Sequence, residues 1–298
     1  METGISTRTR RLKQDLISKA CYKGEYEQGV YVDLTRERLY MESYQQTETE
    51  EQVIRRAKAL KHVLSKIPIA ILDDELIVGN PHADPKALPI FPEINVDLLK
   101  EAKEDGYVRE EDKALADELI QYWENKTIAV KVAENMSDFE KELVKSSSSF
   151  ISTTWKDGIQ HNVPNWDYVF ENGTDKIKAK IKKKIEEITR EFHNGNPSKL
   201  KSLLNSKYLY QAMIISLDAV NTFTSRFSKL AKIKAANEKD EKRMSELRNI
   251  SKMLVRVLRK PPENFHEACQ GFFFLHLILC CIDTAAFGSL TRIDQCLY

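Results

Sequence analysis

Between Val53 and Ile67 the apolar residues Val53, Ile54, Ala57, Leu60, Val63, Leu64 and Ile67 recur at i, i+3, i+4 and i+7. That spacing predicts an amphipathic helix with one stripe against a core, and Arg55, Arg56, Lys58 and Lys61 fall on its other face. Thr47–Glu50 (TETE) reads as a capping box ahead of it. Pro68 ends the helix, since it has no N–H to donate and disfavours α geometry in the residue before it. Ile69–Leu72 and Leu76–Gly79 are apolar, largely β-branched runs split by Asp73-Asp74-Glu75, which predicts a buried β-hairpin. Pro81, Pro85, Pro89 and Pro92 then predict an ordered loop without regular structure.

Residues 1–30 are polar and basic and read as a loosely docked arm. Glu110–Lys126 carries Leu115, Leu119, Ile120 and Trp123 at helical spacing. Ser146–Thr154 (SSSSFISTT) has few charges; a flexible linker and an approach segment to an active site are both open readings. From Thr174 the pattern is helical: Ile177, Ile181, Ile185, Ile188 and Phe192 make one stripe, and Asn194–Pro197 ends it. Lys199–Lys234 presents a wider apolar face whose aromatics Tyr208, Phe223 and Phe227 read as core. Glu238–Leu258 is a further helix, closed by Pro261-Pro262, and Ala268–Ile282 is apolar all round, as a buried helix would be.

Composition changes this picture little. The 298 residues are 42% hydrophobic and 31% charged with a net charge of +1, which argues against nucleic acid or a membrane surface as partner. Met1–Ser18 lacks an apolar signal core. The longest apolar run, Phe272–Ile282, is broken by His276 and falls short of the roughly 20 residues a membrane span needs. A cytoplasmic protein is expected. Cys21, Cys269, Cys280, Cys281 and Cys296 show no paired metal spacing and are an odd number, so buried unbridged thiols are the expectation.

No nucleophile–base arrangement, phosphate loop or metal spacing stands out. The candidate for chemistry is Gly158–Pro164, where His161 sits in a Gly- and Pro-bounded loop. It is a proton donor, a substrate anchor or a hydrogen-bond partner fixing the loop.

Five segments in register carry a resemblance. They are RERLYMESYQQT (Arg36–Thr47); R-x-A-x-x-L, then I-P-I-x-I-x-D-x-E-L-I-V-G-N and P-x-F-P-E within Val53–Glu93; GIQHNVPNWDYVFENG (Gly158–Gly173); PPENFHEACQ (Pro261–Gln270); and RIDQCLY (Arg292–Tyr298). Together they resemble the N-terminal part of glycyl radical enzymes, on the dehydratase, decarboxylase and choline trimethylamine-lyase branch more than pyruvate formate-lyase itself.

The resemblance implies a fold that is mainly α with a few β-strands: N-terminal helical layers and the opening strands of a ten-stranded α/β barrel, truncated. Residues 1–298 would be one partial pyruvate formate-lyase-like domain. It implies radical cleavage of a C–O, C–N or C–C bond in a small polar or arylacetate-like substrate. His161 aligns with a polar substrate contact, and Thr153 and Trp155 approach the same cavity. Ala286 and Phe287 stand where relatives often place polar contacts, and Leu290-Thr291 replaces a P-G pair before Arg292. An apolar wall with Phe287 in it tilts towards a less polar substrate, because an unmatched hydroxyl is costly to bury.

The family's radical-bearing glycine and thiyl cysteine motifs are absent from this chain, so no catalytic residue is assigned and the chain alone is expected to be inactive and prone to aggregate. No cofactor is expected on it. A full-length relative carries a glycyl radical installed by a radical-SAM activase and is expected to be a homodimer acting on a small molecule. The rival readings are a non-catalytic helical scaffold derived from such an enzyme and a split enzyme completed by another chain.

Overall fold

A computed structural model describes residues 6–12, 31–79, 87–146, 164–193, 195 and 197–283. In chain order they form strand β1 (Tyr31–Val32), helices α1 (Thr35–Gln46) and α2 (Gln52–Lys66), and strand β2 (Ala87–Leu88). Helices α3 (Asp97–Glu104), α4 (Lys113–Trp123), α5 (Ile128–Glu134), α6 (Asp138–Ser146) and α7 (Trp166–His193) follow. Next come α8 (Leu200–Asn237), α9 (Glu241–Leu254) and α10 (Phe265–Leu277), the last running into a π-helical turn at Ile278–Ile282.

The axis is α8. At 1.5 Å per residue it is about 57 Å long, and α2, α7 and α9 pack along it. Its Phe223 and Phe227 meet Phe274 of α10 in a fully buried trio with ring centroids 5.0, 5.7 and 5.3 Å apart. Edge-on and tilted rings suit their quadrupoles better than flat stacking.

The expected stripe of α2 is buried at Ile54, Ala57, Leu60, Val63 and Leu64, with Val53 left at the exposed margin. The stripe of α7 is covered only at its start: Ile177 and Ile181 are buried, whereas Phe192 is 41% exposed. TETE is not a capping box. Glu51 is the N-cap of α2 without a side-chain bond, and Thr47 Oγ1 instead donates to Ser43 O at 2.8 Å, closing α1. Among its described residues the proline-rich loop carries β2, which pairs in parallel with β1 in the register Tyr31–Ala87 and Val32–Leu88.

The hairpin expected over Ile69–Gly79 does not form; apart from a bridge at Ala70 the stretch is turns and extended chain. Side chains from distant helices occupy the backbone groups a ladder would have used. Gln270 Oε1 accepts from Val78 N at 2.8 Å, and Gln270 Nε2 donates to Val78 O at 2.6 Å. Arg243 donates to the carbonyls of Leu72 and Glu75, and Glu75 Oε2 accepts from Leu72 N. Arg226 closes the end of α2 by donating to Leu64 O and Ile67 O. Buried backbone must be paired, but a partner strand is only one way to pair it. Gln270→Leu is therefore expected to cost about 2 kcal/mol in a urea melt, because both polar groups of buried Val78 lose their partner. A variant as stable as wild type would show that water replaces the side chain without penalty.

Of the N-terminal arm, residues 6–12 rest on this same stretch. Arg8 contacts both Glu246 oxygens at 2.7 Å, and Arg11 pairs with Asp74. Asp74 has φ 66°, so its carboxylate projects from a left-handed turn towards both arginines.

Candidate functional site

Helix α1 explains why charge is buried here. Leu39, Tyr40, Met41 and Tyr44 face the core, and Glu37 falls on the same i, i+3, i+4, i+7 stripe as Tyr40, Met41 and Tyr44. Arg36 is 2% exposed and Glu37 1%. The Arg36 guanidinium lies 4.4 Å from the Tyr40 ring centroid and 4.9 Å from that of Phe91. Its Nη2 is 2.6 Å from Glu93 Oε1, yet neither Glu93 oxygen lies on a hydrogen-bonding line, so the contact is a charge pair. Its Nε donates to Ile282 O at 3.0 Å. Arg56 of α2 donates to Asp283 O at 3.2 Å and lies 3.5 Å from the Asp283 carboxylate.

The electrostatics follow from burial. Desolvation pushes the Glu37 carboxyl up to about 8, against the pull of Arg36, and neither of its oxygens has a hydrogen-bond partner among the described residues. Burial also raises Asp283, with Arg56 and Arg36 opposing it. Arg36 stays charged, because the Glu93 carboxylate beside it outweighs the cost of burying it. The cluster borders a cleft of about 930 Å³ lined by Tyr40, Tyr44, Arg55, Arg56, Glu93 and Trp123. Tyr40 and Tyr44 stack at 5.0 Å, and Trp123 meets Tyr44 edge-on at 5.3 Å. Chemically this is a framework with cations over aromatic faces; among the described residues it sets no nucleophile beside a base.

Residues of the family-like segments thus converge. Glu42 pairs with Arg38 and His62, and the Tyr44 hydroxyl and carbonyl take Gln52 and Arg55, tying α1 to α2. Glu267 receives Arg256 through both oxygens at 2.9 and 2.7 Å. Thr153, Trp155, His161 and Phe287 lie outside the described residues, as do Cys21, Cys296 and the Cys281 side chain. Cys269 and Cys280 are unbridged, as expected, but half-buried, which corrects the expectation of buried thiols at these two positions. No described helix is long and apolar enough to cross a membrane.

A sequence profile described as pyruvate formate lyase-like matches residues 5–298. The chain belongs to the pyruvate formate lyase-like family. It is 31% identical over 267 residues to the probable dehydratase YbiW of Escherichia coli, a match covering 87% of this chain and 32% of that protein. It is 27% identical to the isethionate sulfite-lyase of Oleidesulfovibrio alaskensis, over 83% of this chain and 31% of that one. Among solved structures, the glycerol-bound B12-independent glycerol dehydratase of Clostridium butyricum superposes with a TM-score of 0.85 at 30% identity. That superposition covers 100% of this chain and 37% of the dehydratase. The chain therefore has the fold of a glycyl radical enzyme over about a third of the length of the relatives it matches.

Sequence reading passed over Arg36, Glu37, Glu93 and Asp283 as functional residues. Arg36 and Glu93 stood inside quoted family segments without a role. Glu37 carried a usable signal, a carboxylate on a stripe otherwise apolar or aromatic. Asp283 carried none.

Proposed function

We propose that this chain supplies the N-terminal third of a glycyl radical lyase, and that the assembled enzyme cleaves a C–O bond of a small hydroxylated substrate. The observation that carries this is the family match running through residues 5–298. C–O cleavage is favoured over C–N, C–C or C–S cleavage because two relatives at 30–31% identity are a probable dehydratase and a glycerol dehydratase. His161 would meet the substrate as a polar contact, with Thr153, Trp155 and Phe287 around it. The radical glycine and the thiyl cysteine would come from the region corresponding to the rest of the relatives. A radical-SAM activase would install the radical, and the assembled enzyme would be a cytoplasmic homodimer. Ala286 and Phe287 support a second reading, in which the substrate is less polar and arylacetate-like.

The test joins the chain to its C-terminal portion, in frame or as a second polypeptide, and activates the product anaerobically. A glycyl doublet by electron paramagnetic resonance with consumption of glycerol or 1,2-propanediol is the expected result. A doublet that persists in His161→Ala while turnover falls at least 100-fold would support the site. A reconstituted protein with no doublet would reject the lyase reading in favour of a scaffold. A doublet with turnover only on arylacetates would move the substrate class.

A further inference from the structure

We infer that the cleft between α1, α2, α4 and α5 is a binding site for a small organic acid, an oxyanion on an apolar or aromatic body. Its volume of about 930 Å³ lies near the top of the roughly 300–1,000 Å³ usual for small-molecule sites. One wall is aromatic. Tyr44 lies 5.0 Å from Tyr40 and 5.3 Å from Trp123, centroid to centroid, and Tyr40 lies 6.1 Å from Trp123. Ile94, Ile128, Val132 and Met136 add aliphatic cover, and Ile128 is left 40% exposed on α5. A lining of this kind holds the body of a ligand and leaves its head to a few polar groups.

Charge selects the head. Arg55 lies 4.5 Å from the Tyr44 ring centroid and donates through Nη2 to Tyr44 O at 2.9 Å. Lys126, just past α4, sits 3.7 Å from the Tyr122 ring centroid. Both line the cleft, and neither meets a carboxylate at ion-pair distance among the described residues. The other charges on the lining are engaged: Arg56 with Asp283, Glu93 with Arg36, Lys131 with Glu134, and Glu140 with Ser137. The charge left over is therefore positive. Two donors agree with it. Arg55 Nε and Trp123 Nε1 are buried without an acceptor among the described residues, and Trp123 is only 3% exposed. An indole N–H can only donate, so an acceptor from elsewhere must satisfy it. A carboxylate or phosphate has enough lone pairs to answer both donors and matches the planar guanidinium fork. An alcohol would leave the Arg55 charge unanswered.

The test titrates the 298-residue chain with phenylpropionate, phenyl phosphate, benzyl alcohol and inorganic phosphate, following its indole N–H groups by NMR. Trp123→Phe assigns the Trp123 signal. The two organic acids are expected to move that signal and to bind about tenfold more tightly than benzyl alcohol, which has the body alone, or inorganic phosphate, which has the head alone. The tighter acid assigns the head as carboxylate or phosphate. Arg55→Met is expected to weaken both acids about tenfold and Lys126→Met about threefold, with urea midpoints confirming that each variant folds. Equally tight binding of benzyl alcohol or of inorganic phosphate would overturn the proposal, and so would wild-type affinity in both variants. Binding that leaves the Trp123 signal in place would put the ligand elsewhere and reject the site. If Arg55→Met does not fold, Lys126→Met decides alone. Loss of binding once the chain is joined to its C-terminal portion would also reject it, because the enzyme's own polypeptide would then fill the cleft. The signal needs no turnover, so failure of the lyase reading leaves this result standing.

Discussion

Gly173→Ala is expected to lower the stability of the chain by about 3–5 kcal/mol, a large share of the roughly 5–15 kcal/mol typical of a domain. Gly173 breaks α7 with φ 66° and ψ 159°, a backbone region almost reserved for glycine, and forcing another residue into it costs of order 1–3 kcal/mol. Space is the second cost. A Cβ there would lie 2.4 Å from Arg259 O and 2.8 Å from Lys260 Cα. Both are backbone atoms, so relief requires moving the α9–α10 connection, at a further cost of about 1–3 kcal/mol. That connection is itself held to the kink, since Thr174 N bonds Leu258 O at 2.7 Å and Asp175 N bonds Arg259 O at 3.3 Å. Gly106→Ala is a comparison without overlap, since Gly106 also has a positive φ, +80°, but nothing lies within 4 Å of the added atom. In urea denaturation Gly173→Ala is expected to lose clearly more stability than Gly106→Ala. If Gly173→Ala lost no more stability than Gly106→Ala, the close approach at Arg259 would carry no energetic weight.

The same glycine shows how far the sequence could be read. As the last residue of GIQHNVPNWDYVFENG it was legible as a family feature, but the reason for it was not, because Arg259 and Lys260 lie more than eighty positions away. Periodicity found α2 and α8 close to their true bounds, since an apolar stripe at 3.6-residue spacing is a local property. It failed at Ile69–Gly79, where local β-branched composition predicted a partner strand. The actual partners are the side chains of Gln270 and Arg243, which no window of sequence around the stretch contains. The cluster at Arg36 divides in the same way. Glu37 betrayed its burial through its place on the α1 stripe, whereas the meeting of Arg36 with Ile282, 246 positions away, is a product of tertiary packing alone.

Glu37→Gln is expected to make the chain more stable than wild type at pH 8 and to leave it nearly unchanged near pH 5. The sign is set by where the proton sits. In the fold, burial raises the Glu37 carboxyl from 4.5 to about 8, with Arg36 opposing the rise and Glu93 and Asp33 adding to it. Between those values the folded state binds more proton than the unfolded state. The stability this residue contributes is therefore fully present below about 4.5 and is lost as pH rises through about 8, by up to 1.36 kcal/mol per pH unit. For a fully buried carboxyl the loss across the window is on the order of 4 kcal/mol. Glu75, raised by burial to about 7, and Asp283, raised by burial, act in the same direction. Asp74 acts oppositely. Its hydrogen bond from Arg11, helped by Arg8, lowers it to about 2, so its contribution is present above 3.8 and fades in stronger acid. Wild-type stability should accordingly peak near pH 5 and fall towards pH 8. The glutamine, neutral at every pH, keeps the shape of the protonated acid without its ionisation. Urea midpoints of both proteins from pH 5 to pH 8 should diverge steadily, with the variant ahead at the alkaline end, and curves that stay parallel would show that Glu37 finds a partner or solvent when it ionises.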